Sequence, residues 1–532
     1  MMKKHFLYLI VLVFALQACE RERDLLLPDA TVEVLNYDGN AIIQEPNGQI
    51  EIDVQMQSLA GIEKFDILID GNTIESHPLD APLSHNHSYK YTVPSDANLG
   101  TKYNIIFKLT DGQGRVAESV VVKIEVNQPY LIDEHTFEGV TYERIKGRVN
   151  KDLTLTKDKR WLIDSIVAID EGAVLTIDAG TTVYFKTYAN NTTSALSVNR
   201  GSRIQAVGTR TEPIVLTSSK VNQNNASIGD WGGLLIHGEA PTNVGNSVLY
   251  GGFRYGGNKP ADNSGSLRYI RIEYSGKNGL HSLQLFGVGS ATNVEYIQTY
   301  KSYNNAYRVR GGRVSLRYIA GIEHGGYGIW ADEGWQGNGQ FWLFQTSIAA
   351  TILPVNYWNQ ARSIEFRNDD TFFEKQPRTT FRVSNITLIG NGYQSGTDYG
   401  TRRGIRIRTG SQGFLYNTIV TEFPSDAVRV EDLPLSDLGV STIIDNIHAY
   451  RNSSNWEQDA KYLFESGQFN LKETVIPGIS RDNFDAVVPT TYNPTAMGSW
   501  FVNAAYIGAV NPANDWTKGG VWFKDKNGNF RQ

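Results

Sequence analysis

The chain has 532 residues, with 51 Gly, 27 Tyr and a single Cys, so it holds no internal disulfide and no cysteine-built zinc or iron–sulfur centre. Acids outnumber bases by 56 to 50, a net charge of −6, which gives no basic footprint and removes nucleic acid as a default partner. The length exceeds one compact domain and fits about three ordinary domains, or a small one joined to an elongated repeat.

Residues 1–18 start with Lys3 and Lys4, run apolar from Phe6 to Leu16 and turn small or polar before Cys19. That run is shorter than the about 20 residues a spanning helix needs, so it reads as a cleaved export signal. Leu16-Gln17-Ala18-Cys19 resembles a bacterial lipobox. The resemblance implies cleavage between Ala18 and Cys19 and acylation of Cys19, each buried methylene of the acyl chains contributing about 0.8 kcal/mol to anchoring. Cleavage removes two lysines and no acid, taking −6 to −8, so lipid rather than charge holds the mature chain on a membrane. In the linker 19–27, Glu20-Arg21-Glu22-Arg23-Asp24 resembles the acidic stretch that directs Bacteroidota lipoproteins to the outer face of the outer membrane. The expected location is therefore the outer membrane, lipid-anchored and exposed at the cell surface. No later run of 18 apolar residues predicts a membrane span.

Residues 28–127 alternate apolar and polar side chains over Thr31–Leu35, Ile50–Val54, Phe65–Ile69, Tyr103–Phe107 and Ser119–Ile124, the period of half-buried antiparallel strands. Turns fall at Asp70-Gly71-Asn72 and Asp111-Gly112-Gln113-Gly114, and His85-Asn86-His87 is assigned to a loop. The pattern predicts an immunoglobulin-like β-sandwich without a disulfide. It resembles the Ig-like modules at the base of many Bacteroidota surface lipoproteins, which implies a spacer. Asn127-Gln128-Pro129 marks the boundary.

Residues 128–532 show short β runs closed by Gly, Asn, Asp and Ser, with no helical period. Ala173–Phe185, Leu196–Val198, Ile204–Gly208 and Pro213–Ser218 follow one another as self-similar strands. The succession resembles right-handed parallel β-helix proteins, in which each turn of a coiling chain pairs with the next. Counting supports this. Leu267–Ile270, Val294–Ile297, Leu316–Ile319, Val383–Ile386 and Leu415–Thr418 recur at the spacing of coils about 25–30 residues long, with one wider gap that must hold a further coil. A second strand starts nine residues after four of these, at Gly279, Ala306, Gly328 and Ala427. In the remaining unit it starts at Gly404, nine residues late, which places an insertion within Gly390–Arg403.

That offset predicts inward side chains at Tyr307 and Val309, Ile329 and Ala331, Ile405 and Ile407, and Val428 and Val430. The opposite parity forms two outward columns, His281, Arg308, Trp330, Arg406 and Arg429, and Leu283, Arg310, Asp332, Arg408 and Glu431. Stacked arginines repel unless acids, a bound anion or solvent relieve them. Two readings stand: a binding face for acidic sugars or peptide carboxylates, or a solvated face with cross-coil salt bridges. Beside the columns, Trp330–Phe344 is the most aromatic stretch; its three tryptophans, Trp330, Trp335 and Trp342, near Asp332 and Glu333 suit a sugar-stacking platform, and the same residues equally suit a cap on a bend in the coil, with Trp342 or Phe344 in the core.

This stretch, together with Gly229–Gly238, Tyr506–Val510 and Asp515-Trp516, resembles a signature of uncharacterised Bacteroidota β-helix lipoproteins. The resemblance implies a surface-exposed lipoprotein, often found with TonB-dependent transporters, and no reaction. Because parallel β-helices include pectate lyases and polygalacturonases, catalysis deserves weighing. Lyases use clustered carboxylates for calcium with an Arg or Lys base, and hydrolases use paired acids. Fragments of a polygalacturonase pattern, Asp369-Asp370, His324-Gly325 and Arg144-Ile145-Lys146, occur in the wrong order. Asp369, Asp370 and Glu374 remain the best acid cluster, and the scattered histidines give no metal spacing. The expectation is a non-catalytic protein without cofactor or metal that binds a glycan or peptide or docks on a TonB-dependent transporter. The alternatives are a polysaccharide lyase or glycoside hydrolase, and a structural component of an outer-membrane complex.

Overall fold

The computed structural model describes residues 27–170, 172–347, 361–393 and 402–532. Ala18 and Cys19 lie outside these residues, as does part of the insertion expected within Gly390–Arg403. Among the described residues the chain is all-β apart from short helical turns and one α-helix, and it divides into two compact units, 1–127 and 128–532.

The first unit is an Ig-like sandwich of nine strands: β1 (Thr31–Val34), β2 (Ile42–Gln44), β3 (Gln49–Gln57), β4 (Ile62–Ile69), β5 (Asn72–Pro78), β6 (Ser84–Thr92), β7 (Lys102–Asp111), β8 (Val116–Glu118) and β9 (Val122–Val126). One sheet runs β1-β3-β6 and the other β2-β9-β7-β4-β5, with β8 beside β7. Alternation along β3 buries Ile50, Ile52, Val54 and Met56 against Phe65, Ile67, Ile105, Phe107 and Leu109 of the facing sheet. Asp70 and Gly71 both take positive φ, 48° and 81°, which is the geometry a two-residue hairpin turn between β4 and β5 requires. His85 and His87 are in strand β6 and not in a loop, because the alternating run continues back to Ser84.

The second unit is a right-handed parallel β-helix. An antiparallel hairpin, Tyr130–Phe137 with Val140–Val149, opens it, and every later coil pairs in parallel with its neighbours down to Leu471–Lys472. Long strands stack as Gly265–Glu273, Asn293–Tyr300, Ser315–His324, Asn338–Thr346, Thr380–Ile389, Gln412–Thr421 and Thr442–Tyr450. Short strands stack on another face as Leu283–Phe286, Tyr307–Arg310, Ile329–Asp332, Arg362–Arg367, Arg403–Arg408, Asp426–Val430 and Ser454–Gln458. Leu267, Val294, Leu316, Gly339, Val383, Leu415 and Ile444 align across the long strands. The wide gap in the sequence spacing is filled by the coil carrying Asn338–Thr346 and Arg362–Arg367.

At one aligned position each long strand carries a non-glycine residue of positive φ: Tyr269, Tyr296, Tyr318, Phe341, Asn385, Asn417 and Asn446. Asn tolerates this region, but an aromatic residue pays for it in strain. Stacking compensates, since ring centroids in the series Tyr269, Tyr296, Tyr318, Phe341 are 4.4, 4.4 and 4.7 Å apart.

The coils end at Leu471–Lys472, before the end of the 128–532 stretch assigned to the β-helix from sequence. The helix Asp459–Ser466 sets Ala460 and Leu463 against the last coil's core, and residues 473–532 return along the outer side of the long strands. There Trp516, Trp522, Phe523 and Ile507 pack on Tyr300, Ile322, Leu343 and Ile419. Outward polar side chains fasten this strap by its backbone: Gln298 and Gln340 each exchange two bonds with Lys524 and Val502, and Arg271 Nη1 donates to the carbonyls of Val521 and Trp522.

Asn385 joins both devices, taking the strained bend while its Nδ2 donates to the carbonyls of Tyr506 at 2.7 Å and Ala504 at 3.2 Å. Asn385→Ala is expected to cost about 2–3 kcal/mol, by the loss of buried bonds and the strain at a position Ala tolerates poorly. Thermal unfolding together with limited proteolysis checks this: a lower melting temperature with faster cleavage inside 473–532 is expected.

Candidate functional site

The register of the short strands confirms the inward set, since Tyr307, Val309, Ile329, Ala331, Ile405, Ile407, Val428 and Val430 are all fully buried in one core. It corrects the outward columns. The first runs Gln284, Arg308, Trp330, Glu365, Arg406, Arg429 and Glu457, and the second begins Phe286, Arg310, Asp332 and continues from Arg367 to Arg408. His281 and Leu283 are displaced from their expected places because the turn Lys277–Gly279 inserts three residues before the strand. The coil hidden in the wide gap contributes Glu365 and Arg367, so the first column gains an acid between Trp330 and Arg406 that the sequence count did not contain.

These columns form a closed ion network, not an open face. Arg308 is 1% exposed, grips Asp332 through two bonds of 2.7 Å and lies 4.1 Å from the Trp330 ring centre. Arg367 covers the same ring at 4.5 Å and bonds Asp332 at 2.9 Å. Burial alone would raise the Asp332 carboxyl, but Arg308 and Arg367 outweigh it and hold the group below its ordinary range. Its neighbour Glu333 moves upward, through burial and the Asp332 charge, and accepts a 2.6 Å bond from the Tyr255 hydroxyl. Arg310 pairs with Glu333 at 3.4 Å and lies 4.4 Å from the Tyr250 ring centre. Arg406 bonds Glu431; Arg408 bonds Glu365 at 3.0 Å and Asp370 at 3.2 Å; Arg429 meets Glu431 at 3.3 Å and Asp426 at 3.4 Å. Trp335 and Trp342 are core residues, each giving its indole N–H at 2.9 Å to a backbone carbonyl, Val314 and Leu316 respectively. Phe344 is core as well.

The acid cluster at 369–374 lies in a hydrogen-bonded turn. Asp369 accepts the backbone N–H groups of Thr371 and Phe372 and an ion pair from Lys375 at 2.9 Å; against the upward push of burial these hold its carboxyl down at about 2. Asp370 bridges Arg367 and Arg408, and Glu374 is exposed. The histidines of the coils are buried as neutral rings. Burial pushes His237 and His324 down to about 3 and His281 well below its ordinary range, and each keeps one ring nitrogen without a hydrogen-bond partner among the described residues. Among the described residues no group of three or more His, Cys, Asp or Glu is arranged to hold a metal ion, and no helix is long and apolar enough to cross a membrane.

The open chemistry lies at the start of the long strands. Ser266, Asn293, Ser315, Asn338, Arg382, Phe414 and Ile443 form one outward column, polar as far as Arg382. Asn293 Nδ2 donates to Ser266 Oγ at 3.3 Å, and the Asn338 N–H donates to Ser315 Oγ at 3.1 Å. Where the column reaches arginine, a groove of about 300 Å³ opens, lined by Arg313, Gln336, Gly337, Asn338, Thr380 and Arg382. Arg313 and Arg382 are exposed, and among the described residues neither guanidinium has an acidic partner within salt-bridge distance. Arg317, one column over, is by contrast engaged by Glu295 at 3.5 Å and by the Trp500 ring, whose centre is 4.3 Å away. Two free guanidiniums flanking amide and hydroxyl groups make a receptor for a carboxylate or another oxyanion. Arg382 precedes the inward Val383 and is thus readable from the same register. Arg313 sits in the turn after Gly311-Gly312, where no period operates.

Two outcomes follow. Arg308→Ala is expected to destabilise the fold by about 3 kcal/mol, because it leaves the buried Asp332 charge to Arg367 alone; denaturant unfolding measures this. The neutral histidines make stability pH-dependent. Between their ordinary pKa of 6.5 and about 3, the unfolded chain takes up protons that His237 and His324 refuse when folded, so stability falls as pH falls. The slope approaches about 1.4 kcal/mol per pH unit for each ring. Unfolding at a series of pH values checks it, with a steeper decline below pH 6.5 for the native chain than for His237→Asn.

The family described as a pectate-lyase like beta helix domain matches residues 147–442. Among solved structures, fibronectin(III)-like modules of Clostridium thermocellum CbhA are 22% identical over 19% of this chain, with a TM-score of 0.15; the chain spans 47% of that structure's length. Pectate lyase Pel3 from Pectobacterium carotovorum is 8% identical, with 81% of this chain and 93% of that one covered and a TM-score of 0.14. A second Pel3 structure gives 11% identity, coverage of 77% and 88%, and a TM-score of 0.13. Nothing among curated proteins matches the chain.

Proposed function

The chain belongs to the pectate-lyase like β-helix family, and from that premise we propose that it is a surface lipoprotein, anchored through acylated Cys19, whose β-helix captures an acidic polysaccharide without cleaving it. The observation that carries this reading is the groove between Arg313 and Arg382. Both cations are free to pair with uronate carboxylates, while Gln336, Asn338 and Thr380 offer donors and acceptors to sugar hydroxyls. The polar column leading into it, from Ser266 to Asn338, lets a polymer continue beyond one sugar. Docking of the anchored chain beside a TonB-dependent transporter gives the captured polymer a route inward.

Family membership also favours a second reading, β-elimination of a polyuronide, for which arginine is a known type of base. The groove's lining supplies arginines but no carboxylate to hold calcium, which supports capture as the first reading.

Affinity electrophoresis in gels containing polygalacturonate or a neutral glucan tests the reading. Retardation by the acidic polymer alone is expected, weakening with salt because the contacts are exposed ion pairs. Arg313→Ala with Arg382→Ala is expected to weaken retention about tenfold or more, about 1.4 kcal/mol, whereas Arg429→Ala leaves it unchanged. Equal retention of the double variant overturns the assignment, and accumulation of unsaturated oligosaccharides replaces capture with elimination.

A further inference from the structure

In the first unit, β5 and β6 are edge strands of the two facing sheets. Residues directly opposite across a strand pair share a face. On β6, His85 is opposite Met56 and His87 is opposite Val54; on β5, His77 is opposite Phe65 and Glu75 is opposite Ile67. Met56, Val54, Phe65 and Ile67 are all core residues, so the three histidines and Glu75 point between the sheets, at the open edge of the sandwich. Their rings gather around Phe65, with centroids 4.6 Å (His77), 5.3 Å (His85) and 4.8 Å (His87) from it. His77 and His87, from opposite sheets, are 5.3 Å apart, and His85 and His87 are 6.3 Å apart. Glu75 Oε2 lies 2.9 Å from His77 Nε2.

Inward positions on an edge strand ordinarily take apolar side chains, which cost nothing to desolvate. Three imidazoles there forgo that gain and crowd one another around Phe65. Two ligands two residues apart on one strand, a third from the facing strand and a carboxylate orienting that third ring are the ingredients of an imidazole metal site. Zn–N bonds of about 2.0–2.1 Å in tetrahedral geometry place ring centres about 5 Å apart, which His77 and His87 already satisfy. His85 stands about 1 Å too far from His87, and no three ligands surround a common point among the described residues, so a bound ion would have to draw these rings together at the open edge.

We infer that the N-terminal unit binds a divalent transition ion of the zinc, nickel or copper type through His77, His85 and His87, with Glu75 holding His77 by Nε2 and leaving Nδ1 for the metal. This stands apart from ligand capture on the β-helix, and the mature full-length chain tests it. Titration with zinc chloride in a calorimeter is expected to show one saturable site per chain, with a raised melting temperature and no response to magnesium. His77→Gln with His87→Gln is expected to lower zinc affinity about tenfold or more while the metal-free chain keeps its circular dichroism. Zinc-edge X-ray absorption of the unaltered chain is expected to show imidazole scattering from three rings, a readout independent of whether the variant folds. Absence of saturable binding, undiminished affinity in the folded double variant, or an all-oxygen shell overturns the inference.

Discussion

Parallel pairing between successive coils is the constraint from which the rest of the large unit follows. Strands about 4.8 Å apart put each side chain directly over its counterpart in the coils above and below, so the choice made at one outward position recurs as a column. Inward columns of Leu, Ile and Val make a continuous core. A column at a bend has to solve the same backbone strain in every coil, and it does so with stacked rings and then with asparagines. A column of charge has to be neutralised coil by coil.

The two outer faces answer that last demand differently. On the short strands, acids within the columns and in the flanking turns pair with the arginines, and Trp330 is clasped between two guanidiniums. Its arginines are spent on structure, and pulling one away costs more than an exposed ligand returns. On the long strands the column is neutral until Arg382, and the turn at Arg313 brings a second cation beside it with no acid opposite. Half of that face is closed by residues 473–532, whose backbone is held by outward Gln, Asn and Arg side chains, and the other half stays open.

Much of the fold was legible in the sequence because the relevant signals are periodic. Alternation found the sandwich strands, and the spacing between Leu267, Val294, Leu316, Val383 and Leu415 found the true register. Counting failed where the chain departs from its period. The three residues at Lys277–Gly279 shifted His281 out of column, and the coil bearing Arg362–Arg367 carries Glu365 and Arg367, which the count left out of the two columns. Parity tells which side chains point outward but not what covers them, and so Arg308 and Trp335 looked available while being buried. Arg382 was within reach of the same count; Arg313, in a turn, was not. The histidines of β6 were read as loop because His and Asn weaken the strand signal, although their parity is that of the core.

The central claim is that ligand recognition belongs to the long-strand face and not to the arginine-rich short strands. Hydrogen–deuterium exchange with and without a short oligogalacturonate addresses it without altering any residue. Protection confined to segments around Arg313, Gln336–Asn338 and Thr380–Arg382 is the predicted result. Protection instead along Tyr307–Arg310, Arg403–Arg408 and Asp426–Val430 would contradict the account.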